Sequence, residues 1–524
     1  MKIHWILLLA LLQTAFVLNC HSPRTYKREF RAVWVATIHN IDWPSQKGLS
    51  TAQQQAEFIQ LIERHRRMGM NAVIVQVRAS GDAFYLSGYE PWSEWLSGTQ
   101  GQAPQPFYDP LEFMIAETHR RGMEFHAWIN PFRGVSHTRF SSVAPDHISR
   151  QQPGWFFQFK NTLYFNPGIP AVRQYLCDVV RQIVACYDVD GIHFDDYFYP
   201  YRKPGELLAD AHTFRKYGKG FTDIEAWRRD NIDQFIHQVA DSIRALKPYV
   251  KFGVSPIGIW RNKRDDPRGS NSHSFASYDM AYADVRKWLQ QGWIDYVAPQ
   301  LYWSTAHQGA NYEELIQWWA DNAFGRHVYV GHAMFKVKNE PSGGWKNPLE
   351  LPRQLHILRS MPRIQGSIFY SANSFEGNPY QVEQLLEEDF YRYPALPPAM
   401  PWKDALPPLP PWEVHISYEQ ELPVIRWRRP IAAADGQRPL RYVVYGFPSG
   451  KAIDLSRPEF IRAIQADTLF TDSLGMQQAG YRYAITALDR LHNESEAAIV
   501  EARPLKRIAT DAFGPPPDLG TVKE

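Results

Sequence analysis

Eight short apolar runs recur between residues 30 and 391, and the segments between them repeat their apolar positions every three to four residues. The runs are Arg31–Ala36, Ala72–Val77, Glu124–Ile129, Gly191–Asp195, Lys251–Ser255, Tyr296–Leu301, Val328–His332 and Gly366–Tyr370. Their length and β-branched content predict strands buried on both faces. The intervening pattern predicts amphipathic helices. In the longest, Ile224–Leu246, Trp227, Phe235, Val239 and Ile243 share one face, and Asp223 stands where a capping carboxylate belongs. Pro110 and Pro170 suit the first turns of two others. Eight strand–helix repeats without interruption predict a (β/α)8 TIM barrel over residues 28–392. A doubly wound open sheet is the rival, but the count of eight and the lack of a Gly-rich phosphate loop weigh against it.

The pattern changes near Tyr393. Pro394, Pro397, Pro398, Pro401, Pro407, Pro408, Pro410 and Pro411 predict a stiff linker over 393–411. Beyond it, Trp412–Tyr418, Val424–Arg428, Arg441–Phe447 and Tyr481–Leu488 are short strands separated by turn residues, a small all-β sandwich over 412–508. The run Tyr481–Leu488 with the turn His492-Asn493-Glu494-Ser495 resembles the end of a fibronectin type III module, which implies a spacer rather than a ligand-binding unit. The tail 509–524 carries no structural pattern and is expected to be disordered.

At the other end, Lys2 and His4 precede an apolar stretch from Ile6 to Leu18, too short to span a bilayer and flanked as an export signal is. Residues 1–20 end in Val17-Leu18-Asn19-Cys20, which resembles the lipobox of bacterial lipoproteins. That likeness implies lipidation of Cys20 and a membrane anchor at the cell envelope. The 524 residues carry a formal charge of +2 with no basic run, so no nucleic-acid partner is expected. Cys177 and Cys186 lie nine apart in one predicted helix, about 13.5 Å along its axis, too far to bridge.

The chemistry concentrates at the carboxyl ends of the predicted strands, where such barrels gather their active sites. The run Val189–Pro200 opens as a buried strand and ends in Asp195 and Asp196 among aromatic rings. Carboxylates there are costly unless binding or catalysis uses them. Strand parity places His193, Asp195 and Tyr197 on one face and Asp196 on the other, so Asp195 is the first candidate for nucleophile or base. The bland alternative is a pair that caps the following turn. For the acid, Asp82, Asp266 and Glu90 are open, each with an alternative as a loop cap or a partner of Arg78 or Arg261. Candidate sugar contacts are Trp34, Arg78, Asn130, His193, Tyr197, Trp260, Arg261, Asn262, Gln300, Tyr302, Trp303 and His332. His126, His193 and His332 suit hydrogen bonding better than metal ligation, and no metal or cofactor is expected. An oxocarbenium-like transition state calls for such a carboxylate-and-aromatic set. Glycoside hydrolysis therefore leads, ahead of a silent glycan-binding barrel and, third, a metal-dependent hydrolase.

Several motifs point the same way. Arg28-Glu29-Phe30-Arg31-Ala32-Val33-Trp34-Val35-Ala36, the Gly191–Pro200 run and Trp227-Arg228-Arg229-Asp230-Asn231 resemble the glycosyl hydrolase-like 10 family. So do Ser255-Pro256-Ile257-Gly258-Ile259-Trp260-Arg261-Asn262 and Ile294-Asp295-Tyr296-Val297-Ala298-Pro299-Gln300-Leu301-Tyr302-Trp303. The resemblance covers residues 28 to about 390. It implies an envelope lipoprotein with a glycosidase-related barrel, acting on peptidoglycan glycan strands stripped of their peptides. It carries over to Asp195, Asp196, Arg261, Asn262, Gln300, Tyr302 and Trp303.

Overall fold

The computed structural model describes residues 26–136, 142–203, 205–339, 343–420, 422–473 and 480–502. Cys20 with its apolar leader, and the tail 509–524, lie outside the described residues. The chain divides into two compact units between Asp404 and Ala405.

In the first unit eight parallel strands close into a barrel. They are β1 (Phe30–Val35), β2 (Ala72–Arg78), β3 (Glu124–Ile129), β7 (Gly191–Phe194), β8 (Lys251–Val254), β9 (Tyr296–Val297), β10 (His327–His332) and β11 (Gly366–Phe369). The numbers β4 (Arg133–Val135), β5 (Phe156–Phe159) and β6 (Thr162–Phe165) belong to a small antiparallel sheet inserted after β3. The crossover helices are α1 (Thr51–Arg67), α2 (Pro110–Arg120), α3 (Pro170–Cys186), α4 (Ile224–Leu246), α5 (Val285–Gln290), α6 (Tyr312–Asp321) and α7 (Glu350–Ser360). Asp223 caps α4 by accepting from the N–H groups of Glu225 and Ala226, and Pro110 and Pro170 occupy first turns.

Alternation along each strand separates two cores. Phe30, Ala32 and Trp34 point into the barrel with Ile74, Trp128, Tyr296, Tyr329 and Ile368. Val33, Val35, Val73, Val75, Ile192 and Phe194 point outward against the helices. The expected sixth strand, Tyr296–Leu301, is cut to two residues because Pro299 offers no N–H to the ladder. Gln300 continues by single bridges to Ile257 and Gly331, which leaves its side chain free to reach the barrel mouth.

The expected linker behaves differently in its two parts. Tyr393 to Lys403 packs across the barrel floor, whereas a free spacer would touch nothing. Asn71 donates to the Ala395 carbonyl at 3.0 Å, Arg31 to that of Tyr393 at 2.8 Å, and the Trp402 indole to Asp295 at 2.9 Å. Met400 joins the inner core. Proline keeps this stretch extended, and the side chains of Asn71, Arg31 and Arg28, with the Glu29 amide, satisfy its carbonyls. Beneath it Glu29 takes the guanidinium groups of Arg31 (2.7 Å) and Arg359 (2.7 and 3.0 Å), all three side chains being buried. Burial alone would raise the Glu29 pKa, but the two cations outweigh it and hold the carboxyl below its ordinary range.

The second unit consists of two antiparallel sheets. One holds β12 (Trp412–Glu419), β13 (Leu422–Arg428) and β16 (Leu469–Thr471). The other holds β14 (Arg441–Pro448), β15 (Ile461–Gln465), β17 (Tyr481–Leu488) and β18 (Ala498–Glu501). Ile425 and Trp427 from the first sheet pack with Tyr442, Val444, Tyr483 and Ile485 from the second.

Removing Glu29 strands two buried cations. Glu29→Ala should destabilise the barrel by about 3–5 kcal/mol, read from its transition in guanidinium chloride. A loss below about 1 kcal/mol would show that the floor is held otherwise.

Candidate active site

Strand β7 ends at Phe194, and the inward parity of His193 carries on to Asp195. The Asp195 carboxylate is buried and meets three N–H donors. Asn130 Nδ2 (2.7 Å) and Trp128 Nε1 (3.1 Å) both donate to Oδ2, and the Tyr197 amide donates to Oδ1 at 3.2 Å. Alternation stops where the strand stops, so Asp196 does not turn into the helical shell as ideal parity would require. Its Oδ1 accepts from Gln300 Nε2 at 3.1 Å, and its Oδ2 is bonded by the Tyr201 hydroxyl. Gln300 also donates to the Ser255 carbonyl at 3.0 Å, which fixes its reach. Both carboxyl groups therefore stand at the mouth.

Burial pushes the Asp195 pKa up to about 7, with the charge of Asp196 adding to it and Arg133 opposing. Burial raises Asp196 as well. Each carboxyl thus makes the other harder to ionise, and the rise in Asp195 favours its neutral form toward neutral pH. Arg133, at the start of β4, places its guanidinium 4.5 Å from the centre of the Tyr197 ring. The inserted sheet thus brings a cation whose charge acts on both carboxyls.

Below the pair a hydrogen-bonded column runs down the barrel. Trp34 Nε1–H donates to His193 Nε2 at 3.1 Å, so the His193 proton sits on Nδ1 and goes to the Tyr296 hydroxyl at 3.0 Å. Tyr296 then donates to His126 Nδ1 at 2.8 Å, and His126 Nε2–H donates to Glu124 at 3.0 Å. Lys251 closes the column on the other Glu124 oxygen. Burial, with a smaller contribution from His126, keeps His193 neutral.

Asp196, Tyr201, Ile257, Gln300, Tyr302 and Trp303, with Ser274 and Phe275, line a hollow of about 330 Å3 at the mouth. The structure thus brings together Trp34, Asn130, His193, Asp195, Asp196, Tyr197, Gln300, Tyr302 and Trp303. The other candidates are placed elsewhere. A bulge after Gln76 sets Arg78 opposite Ile129, which faces the helices. There Arg78 is fully buried and paired in two bonds to Glu90 (2.6 and 2.7 Å), which commits both groups. His332 has outward parity, and its ring nitrogens meet Gln354 (3.3 Å) and Ser367 (3.2 Å). Trp260 is sealed beside Trp318 and donates to Asp284 at 2.9 Å.

Asp266 accepts from Arg268 at 2.7 and 3.0 Å, and these bonds hold it well below the carboxylate range, a poor setting for an acid. Asp82 is buried in the loop after β2, where burial pushes it up to about 7. Its Oδ2 accepts from Gln100 at 3.1 Å, and it does not line the hollow. Arg261 and Asn262 line a neighbouring hollow. Sequence reasoning missed Tyr201 and Phe275. A run of tyrosines signals the first; the second is a lone ring in the polar stretch Ser270-Asn271-Ser272-His273-Ser274.

A closed barrel with two buried carboxyls and an aromatic wall at the end of its fourth strand is a glycoside hydrolase of the TIM-barrel type. The model of the family described as glycosyl hydrolase-like 10 matches residues 29–345, and the chain belongs to that family. It is 41% identical over 488 residues to a protein named glycosyl hydrolase YngK from Bacillus subtilis, across 92% of this chain and 94% of that one. With glycosyl hydrolase DigH of Escherichia coli K12 it shares 38% identity over 366 residues, across 65% and 82% of the two chains. Among solved structures, the PgaB (BpsB) glycoside hydrolase domain from Bordetella bronchiseptica aligns with a TM-score of 0.42 and 14% identity, covering 69% of this chain and 98% of that one.

A carboxyl with a raised folded-state pKa contributes stability that is present at pH 4 and lost as pH rises through about 7. Asp195→Asn removes that dependence while adding a constant penalty, because an amide N–H then faces N–H donors. The melting temperature of the variant relative to wild type should therefore improve between pH 4 and pH 8. A difference that stays flat or worsens would contradict a protonated carboxyl pair.

Proposed function

We propose that the enzyme cleaves glycosidic bonds within a bacterial amino-sugar polymer, peptide-free peptidoglycan strands, using Asp195 and Asp196 as its acid and base pair. The observation that carries this reading is geometric: two buried carboxyls, Asp195 and Asp196, stand at the barrel mouth, and the second lines an aromatic hollow. The partners of the two groups differ in number. All three contacts to Asp195 are N–H donors, which favour the anion. Asp196 accepts from fewer donors, the Gln300 amide and the Tyr201 hydroxyl, and it is the carboxyl that lines the hollow, so it is assigned the proton.

Asp196 then gives its proton to the leaving glycosidic oxygen, Asp195 stabilises positive charge developing at the anomeric carbon, and a water adds to that carbon and gives up its proton to Asp195. Trp128 and Asn130 hold Asp195 in place. Tyr302, Trp303 and Tyr201 offer ring faces to the sugar and exclude water. The amino-terminal signal supports delivery to the envelope with a lipid on Cys20, where such a polymer lies. The β-sheet unit is read as a fibronectin type III-like spacer.

Purified protein should shorten peptide-free glycan strands, as seen by chromatography of the released saccharides. Asp196→Asn and Asp195→Asn should each lower kcat about 10²- to 10⁴-fold with folding intact. Failure of wild type to cleave any amino-sugar polymer would refute the substrate; full activity in both variants would refute the assignment.

A further inference from the structure

Phe275 is 58% exposed on the long loop between β8 and α5. A single exposed ring is ordinary on a protein surface. The surroundings of this one are not. Ser274 and Phe275 line both the hollow that contains Asp196 and a second hollow of about 570 Å3, so the ring stands on the ridge between them.

The ridge is held from both sides. Asn262 Oδ1 accepts from the Ser274 amide at 3.2 Å and from the Ser272 hydroxyl at 2.9 Å, while its Nδ2 donates to the Ser274 carbonyl at 3.0 Å. One residue earlier, the His273 amide donates to the Gly309 carbonyl at 2.8 Å. A side chain presented on so fixed a backbone loses little further freedom when a ligand covers it.

The second hollow is walled by charges that satisfy one another. Arg261 pairs with Asp279 at 3.2 Å and with Asp266 at 3.4 Å, and Arg264 pairs with Asp265 at 3.4 Å. Balanced pairs of this kind offer fixed donors and acceptors without a net field, which suits hydroxyl and amide groups better than an ion.

We infer that the substrate groove continues from Asp196 across Phe275 into the second hollow, with Phe275 as the stacking platform for a neighbouring pyranose ring carrying uncharged hydroxyl or acetamido groups. The inference rests on the glycosidase reading of the Asp196 site and adds a second sugar position to it. The weakly positive C–H face of a pyranose lies against the negative face of the ring. Asn262 acts as a positioning residue, setting the height of the ridge through Ser274. A chain that fills both hollows is gripped by two sugars, so the enzyme favours polymers over short saccharides.

The test is calorimetric titration of the full chain carrying Asp196→Asn, with peptide-free glycan oligosaccharides of two, four and six sugars, against the same protein carrying Phe275→Ala or Phe275→Trp in addition. Affinity should rise with chain length in the parent. Phe275→Ala should remove about a tenfold step on the longer ligands while leaving the disaccharide within about twofold, and Phe275→Trp should restore the step. Equal affinities for parent and Phe275→Ala at every length would overturn the inference, as would absence of binding. Because the readout is binding, cleavage by wild type tests the glycosidase reading separately: turnover together with an inert Phe275→Ala change would sink the platform and spare the enzyme.

Discussion

Two carboxyl groups on adjacent residues cannot both be ionised out of water without a cation to share them. Much of the barrel mouth is arranged around that constraint. Asp195 and Asp196 are buried, and Arg133, whose charge opposes the rise, is engaged with the Tyr197 ring, so their charge is only partly compensated. The outcome is a carboxyl whose ionisation is pushed up to about 7, the range in which an acid catalyst works at neutral pH. The same strand end that makes the pair costly to fold also makes it chemically useful.

The surrounding polar groups are there to limit that cost. Trp128, Asn130 and the Tyr197 amide crowd one carboxyl with N–H donors, and Gln300 braces the other from the end of β9. Gln300 is available because Pro299 ends its strand early. Missing backbone pairing at one point of the barrel thus supplies a side chain at the place where charge has to be managed.

The sequence made the fold legible because the barrel repeats one signal eight times: apolar runs of strand length, each followed by a helical period. It failed where elements are short or local. Strands of three or four residues in the 133–165 insert carry too few alternations to be seen, and the prolines of 393–403 read as a spacer although they floor the barrel. At the site, strand parity sets His193 and Asp195 in one phase, whereas His332 stands out only for its place at a strand end and in fact faces the helices. Arg78 was misplaced for a different reason: a bulge is invisible in composition. Phe275 left only a faint trace, since its meaning comes from what lies on either side of its loop.

The column from Trp34 to Lys251 has a consequence beyond holding the barrel interior together. Each link passes one proton in one direction, from indole to imidazole to phenol to imidazole to carboxylate, so the row has a single polarity and no member can reverse alone. The tautomer of His193, beneath the catalytic floor, is therefore set by an indole that can only donate, and the order this imposes runs down to the Glu124–Lys251 pair at the opposite end of the cylinder.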